Sequence, residues 1–220
     1  MNLLEEFERF CKKEKNPYSK ITQFTEELKN RFYSEKRKEG KSEDKIRQAW
    51  VSFLGHNLEH VFEKMIEDFC KSHNLKITKD KELLSESLSK ELSEVKRLIS
   101  INFGEYMLLP DANIIIYKSN PVKILAILSI KNSFRERYTE TPYWKLKLLQ
   151  DKVTQHIKVF MITPDKDNEI SFIRSKFGIR KPRIVMEYEL DGIYLAKEDF
   201  ERSEKVKSIG DLIKDLEKLI

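Results

Sequence analysis

The hydrophobic period of this chain changes once, close to residue 100, and that change limits the fold more than any other feature. Before it, apolar residues recur at intervals of three and four. Leu4, Phe7 and Phe10 begin the pattern; Trp50, Phe53, Leu54, Leu58, Val61, Phe62, Met65, Ile66 and Phe69 sustain it. Such spacing lines one face of an α-helix, and it predicts a long helix over 44–72 whose start is marked by Gly40 and Ser42. The charged stretch 34–44, SEKRKEGKSED, predicts an exposed turn ahead of it, and Leu83, Leu84, Leu88, Leu92 and Val95 predict another helix over 81–98. After that the chain turns to short runs rich in Ile and Val, at 112–117 and 122–130, joined by Lys118, Ser119, Asn120 and Pro121. Two such runs across a turn predict an antiparallel hairpin.

Helical spacing returns over 143–149, buried strands are expected over 156–162 and 183–190, and an amphipathic helix over 208–220. Helices first, then strands interleaved with helices, give an α/β fold on the border with α+β. The expected architecture is a central mixed β-sheet flanked by helices, with a helical N-terminal region over 1–74, a sheet-bearing core over 75–220, and one structural domain overall.

Composition narrows the function classes. The 42 Lys and Arg stand against 37 Asp and Glu, so bulk charge attracts polyanions only weakly and any nucleic-acid site must come from local clustering. Cys11 and Cys70 are isolated, without a CxxC or Cys/His grouping, which argues against a zinc site or disulfide framework and for reduced intracellular thiols. The start MNLLEEFERF is acidic, unlike a signal peptide, and no apolar run approaches the length of a membrane span. A cytoplasmic protein with no membrane partner is expected. The abundance of Lys, Glu and Ile leans toward a thermophilic source.

The chemistry concentrates in 108–144. Asp111 follows Pro110 at the mouth of the first hairpin strand, and Lys131 ends the second, so the hairpin brings both to one end. Hydrolysis of a phosphodiester requires hard oxygen ligands for Mg²⁺ and a positive group beside the reacting phosphate. Either residue alone has an ordinary explanation: a Pro-Asp pair is commonly a turn, as Pro164-Asp165 is expected to be, and a strand-ending lysine is commonly a solvated edge.

Pro110 and Asp111 with Ser129, Ile130 and Lys131 resemble the PD-(D/E)xK nuclease superfamily. The chain departs from that pattern at Ser129, where a carboxylate is usual. The resemblance implies that the carboxylate has moved to Glu140, nine residues after Lys131 at the expected start of the next helix, with Thr139 placed to cap it. It also implies a carboxylate from an earlier helix. Gly55, Leu58 and Glu59 match the family's GxxLE pattern and select Glu59, with Glu63 one turn later as its competitor. Asp111, Glu140 and Glu59 are then the expected Mg²⁺ ligands, with Lys131 and Ser129 completing the catalytic set.

Arg135, Glu136 and Arg137 follow the lysine at once. Arginine can bond bidentately to guanine O6 and N7, and glutamate can accept from cytosine N4; a solvated loop of paired charges is the plainer alternative. The run SIKNSFRERYTETPYWKLKL is similar to the BsaWI-like restriction enzymes that cut CCGG-type sites. That likeness implies a Mg²⁺-dependent type II restriction endonuclease acting on double-stranded DNA at a short palindrome, with Arg135 and Arg137 on guanines and Glu136 on cytosines. It further implies a homodimer and a cognate DNA methyltransferase, with the N-terminal helices serving as clamp or dimer interface. A structure-selective repair or junction nuclease of the same superfamily is the rival, and a non-catalytic DNA-binding protein is another. Tyr143 and Trp144 are expected in the core. The basic run Arg174, Lys176, Arg180, Lys181 and Arg183 is expected either to touch phosphate or to form an exposed loop.

Overall fold

The computed structural model describes residues 2–132, 134 and 138–220, apart from the side chain of His56. The N-terminal third is helical: α1 (Leu3–Cys11), α2 (Ile21–Lys38) and α3 (Glu43–Ser72). Asn2 caps α1 by accepting from the Leu4 and Glu5 amides, which satisfies donors that have no partner inside the helix. There follow β1 (Lys76–Thr78), α4 (Asp80–Leu83), α5 (Lys90–Ile99), β2 (Ile101–Phe103), β3 (Tyr106–Leu108), β4 (Ile114–Lys118) and β5 (Lys123–Ile130). The remainder comprises α6 (Glu140–Leu149), β6 (Lys158–Thr163), β7 (Arg174–Ser175), β8 (Gly178–Ile179), α7 (Lys181–Glu189), β9 (Gly192–Leu195), β10 (Val206–Ser208) and α8 (Leu212–Glu217).

A six-stranded sheet in the order β1-β4-β5-β6-β9-β10 forms the centre. Strand β4 pairs antiparallel with both β1 and β5, and β5, β6, β9 and β10 run parallel. Because successive strand side chains face opposite ways, the Ile-rich strands feed two cores. Ile114, Ile116, Ala126 and Leu128 pack on one face with Leu54, Leu58, Phe62 and Ile66 of α3, and with α1, α2 and α8. Ile115, Ile127, Val159 and Met161 pack on the other with α5, α6 and α7. A mixed sheet between helical layers is the expected architecture, and it explains why both hairpin strands are apolar throughout: each is covered on both sides.

Several elements differ from expectation. Of residues 183–190, all but the C-cap Leu190 lie in helix α7 instead of a strand; Pro182 stands in its first turn, where its fixed φ suits a helix and its missing N–H costs nothing. The strand is the next segment, β9. The helix expected over 81–98 is two, α4 and α5, parted by residues 84–89, with Ser89 accepting from the Leu92 amide as the second N-cap. Trp144 packs against the second core, but Tyr143 is 44% exposed and does not belong to it. Arg183 is fully buried, donating to the Ile170 and Glu201 carbonyls and to Glu187; it is neither a phosphate contact nor part of an exposed loop.

Candidate active site

The site is built where β4 begins and β5 ends. Register pairs Ile114 with Leu128, so the residues just before β4 and just after β5 meet at one end of the hairpin. Asn113 fastens that end: its amide donates to the Leu128 carbonyl at 3.1 Å, and its Oδ1 accepts from the Ile130 amide at 2.7 Å. Asp80 closes the neighbouring loop through paired backbone and carboxylate bonds to Ala112. Asp111 is thereby held at the mouth of the hairpin with its side chain 47% exposed.

Lys131 leaves β5 on the same face as Ile127 and Ser129, toward α6. Its amide donates to the Ile162 carbonyl of β6, which extends the parallel ladder by one bond. Its ammonium lies 3.1 Å from Asp111 Oδ2 and 3.4 Å from Glu140 Oε2, and its side chain is 18% exposed. Ser129 is 1% exposed and its Oγ lies 3.0 Å from Thr141 Oγ1. That contact seats the first turn of α6 against β5 and carries Glu140 to the lysine. The structure thus brings Asp111, Lys131 and Glu140 together, with Ser129 supporting them from beneath.

Glu59 approaches from the opposite face of the sheet, on α3. It shares a cleft of about 520 Å³ with Asp111, Asn113, Gly55, His60, Lys79 and Asp80, and it has no hydrogen bond or ion pair among the described residues. Glu63 is engaged instead: Lys79 Nζ lies 2.8 Å from it and His60 Nδ1 3.1 Å. Burial works to lower the Lys79 pKa, but the Glu63 hydrogen bond and the charges of Glu63 and Glu59 outweigh it and hold the ammonium above its ordinary range. Of the two glutamates, Glu59 is the one left open to the cleft.

Two carboxylates converging on one cation form the hard oxygen set that Mg²⁺ takes, since that ion keeps several waters and binds through one or two carboxylates. Asp111 and Glu140 fit such an ion. Among the described residues no three His, Cys, Asp or Glu side chains are close enough to hold a metal by themselves. Arg135, Glu136 and Arg137 lie outside the described residues, so the reading element has no geometry to add. Pro164-Asp165 is a turn as expected: Asp165 is fully buried and accepts from the amides of Glu169, Ile170 and Ser171. Sequence reasoning missed Asn113, Thr141 and Asp80. The signal available for Asn113 was a polar amide two residues past Asp111 at the entry to an apolar strand.

Residues 91–218 match the family described as BsaWI restriction endonuclease type 2. The chain is 52% identical over 185 residues to the putative type II restriction enzyme MjaVIP of Methanocaldococcus jannaschii, covering 81% of this chain and 82% of that protein. It is 50% identical over 180 residues to the probable type II restriction enzyme HpyAORF263P of Helicobacter pylori, covering 77% of this chain and 92% of the relative. Among solved structures, the restriction endonuclease PspGI bound to substrate DNA aligns with a TM-score of 0.48 at 13% identity, over 92% of this chain and 75% of that one. The pre-specific BsaWI–DNA complex aligns at 0.44 and 13% identity, over the whole of this chain and 93% of that one.

Proposed function

This chain belongs to the BsaWI family of type II restriction endonucleases, and from that premise we propose that it hydrolyses double-stranded DNA with Mg²⁺ at a short palindrome with a CCGG-type core. The observation that carries the reading is the convergence of Asp111 and Glu140 on the Lys131 ammonium at 3.1 and 3.4 Å. When bound, Mg²⁺ would supply charge neutralisation at the phosphate and acidify the attacking water. Asp111 and Glu140 would hold the ion, and Glu59, which lines the cleft beside Asp111 without closing a three-ligand set, would add its charge from α3. Lys131, beside both carboxylates, would orient the attacking water and balance the charge that develops on the phosphate oxygens. Ser129 is a positioning residue that acts through Thr141 on the seat of Glu140.

Arg135 and Arg137 read guanine and Glu136 reads cytosine, one half of the palindrome per subunit of a two-fold dimer. A cognate methyltransferase protects the host's own sites. Supporting this reading over a structure-selective repair nuclease is the Arg-Glu-Arg triplet beside Lys131, because an enzyme that recognises shape has no use for a base-reading carboxylate. Purified protein incubated with plasmid and Mg²⁺ tests it: discrete fragments are expected, lost in EDTA. A smear, or intact plasmid, refutes the reading.

A further inference from the structure

The basic run after β6 divides into three parts. Arg183 is buried and Arg180 is paired with Glu169 at 3.3 Å. Arg174, Lys176 and Lys181 remain exposed, without an ion pair among the described residues. Between them β7 and β8 form a minimal hairpin, Arg174 pairing Ile179 and Ser175 pairing Gly178. Ser175 Oγ holds the tip by accepting from the Phe177 amide at 3.2 Å and bonding the Gly178 carbonyl at 3.3 Å. Gly178 adopts φ +110°, a conformation that suits glycine alone. The result is a projecting Phe177, 88% exposed, with Lys176 Nζ 4.9 Å from its ring centroid. Ile179, 60% exposed, stands beside it.

The position of this hairpin gives it a use. Strands β5 and β6 are parallel, so the segment after Lys131 and the segment after Thr163 leave the sheet at the same end. They are joined there: the Phe134 amide donates to Asp167 Oδ2 at 3.3 Å. The turn containing Asp167 also roots the hairpin, because Asp165 binds the Glu169 amide, Glu169 binds Arg180, and the Arg180 amide donates to the Ile173 carbonyl. The hairpin is therefore fixed to the exit of the catalytic strand.

We propose that this hairpin is a second DNA-contacting element, in which Phe177 presses as an apolar wedge against the bases while Arg174, Lys176 and Lys181 meet phosphates. The occupant is DNA because three unpaired cations and no carboxylate share the tip from residue 174 to 181, a balance that favours a polyanion. Apolar side chains presented on basic elements are a known means of unstacking a base step. The inference rests on the DNA-cutting function proposed above, and its test separates the two.

A fluorescein-labelled duplex containing CCGG, titrated in Ca²⁺ by anisotropy, measures binding without cleavage. Phe177→Ala is expected to weaken binding by about tenfold or more, within the range for loss of a base-stacking aromatic, while Phe177→Trp retains most of the affinity. Arg174→Ala, Lys176→Ala and Lys181→Ala are each expected to reduce the slope of log K against log salt by about one. The wild-type plasmid digest reports separately on the nuclease function. If the wild type cuts and Phe177→Ala binds with unchanged affinity, the hairpin inference is overturned and the nuclease reading stands. If Phe177→Ala alters the sedimentation of the free protein while DNA affinity stays the same, the tip is an interface between copies and the inference is likewise overturned.

Discussion

Lys145→Met removes a buried cation from the helix that carries Glu140. The Lys145 side chain is 6% exposed, and its ammonium lies 2.6 Å from Asp191 Oδ2 and 3.1 Å from the Ile157 carbonyl. Asp191 also accepts from the Val159 amide at 2.9 Å and from Lys158 at 3.0 Å. Breaking a buried pair costs about 3–5 kcal/mol when one charge is left alone. Asp191 would retain the Val159 amide and the half-exposed Lys158, and screening leaves the latter worth under about 1 kcal/mol. The expected loss is therefore about 2–4 kcal/mol, or roughly 6–12 °C of melting temperature for a chain of this size.

The pH dependence gives a second reading of the same pair. Burial raises the Asp191 pKa, but hydrogen bonds from Lys145, Val159 and Lys158 outweigh it and hold the carboxyl below its ordinary value. A depressed folded value contributes stability that is present above the unfolded aspartate pKa and lost as pH falls through the folded one. Calorimetric melts of wild type and Lys145→Met between pH 7 and pH 3 should converge toward acid, and Lys145→Met/Asp191→Asn should recover part of the loss at pH 7. A drop under about 2 °C at pH 7, or a gap that widens in acid, refutes the reasoning.

The other predictions concern the cleft, the reader and the C-terminal helix. Glu140→Ala and Glu59→Ala should each lower Mg²⁺-dependent plasmid cleavage by orders of magnitude, whereas Glu63→Ala should chiefly lower the melting temperature; the reverse order would exchange the two glutamates of α3. Lys131→Ala should abolish cutting while leaving binding of a CCGG duplex in Ca²⁺ largely intact, and retained cleavage would remove the lysine from the mechanism. Glu136→Ala should relax selectivity for the central G·C pairs in a digest of randomised sites; unchanged selectivity would remove it from the reader. Burial opposes the ionisation of Asp215, but Lys207, Lys218 and Tyr194 outweigh it and bring its pKa down to about 2. Asp215→Asn should therefore lower the melting temperature at pH 7 and lose that effect as pH falls toward 2, and an effect that persists in acid would assign it to packing alone.

The parts of this molecule that were legible in the sequence are those where one period runs long enough to exceed chance. Helix α3 spans thirty residues with an unbroken apolar face and was expected within one residue of its bounds. The β4–β5 hairpin was legible because its strands are buried on both faces and rich in Ile. Strand β9 was not, since four residues carry no period, and the apolar side chains of α7 read as a strand in its place. The buried charges of Lys145 and Arg183 were also illegible: a charged side chain predicts solvent until its partners are known, and those partners lie 12 or more residues away in sequence for the Lys145 bond to Ile157 and the Arg183 bond to Ile170. The approach of Asp111, Lys131 and Glu140 followed from hairpin geometry and from the resemblance of their motif. Asn113 belongs to no motif, and the role of Thr141, though it lies within the similar run, emerged only with the fold because it depends on the contact with Ser129.

Sequencing the fragment ends of a plasmid digest tests the central claim most directly. Every end should map to one short palindrome with a CCGG-type core, cut at a constant position, and Lys131→Ala should yield no ends. Ends that share no sequence, or ends still produced by Lys131→Ala, would contradict a site-reading nuclease centred on Asp111, Lys131 and Glu140.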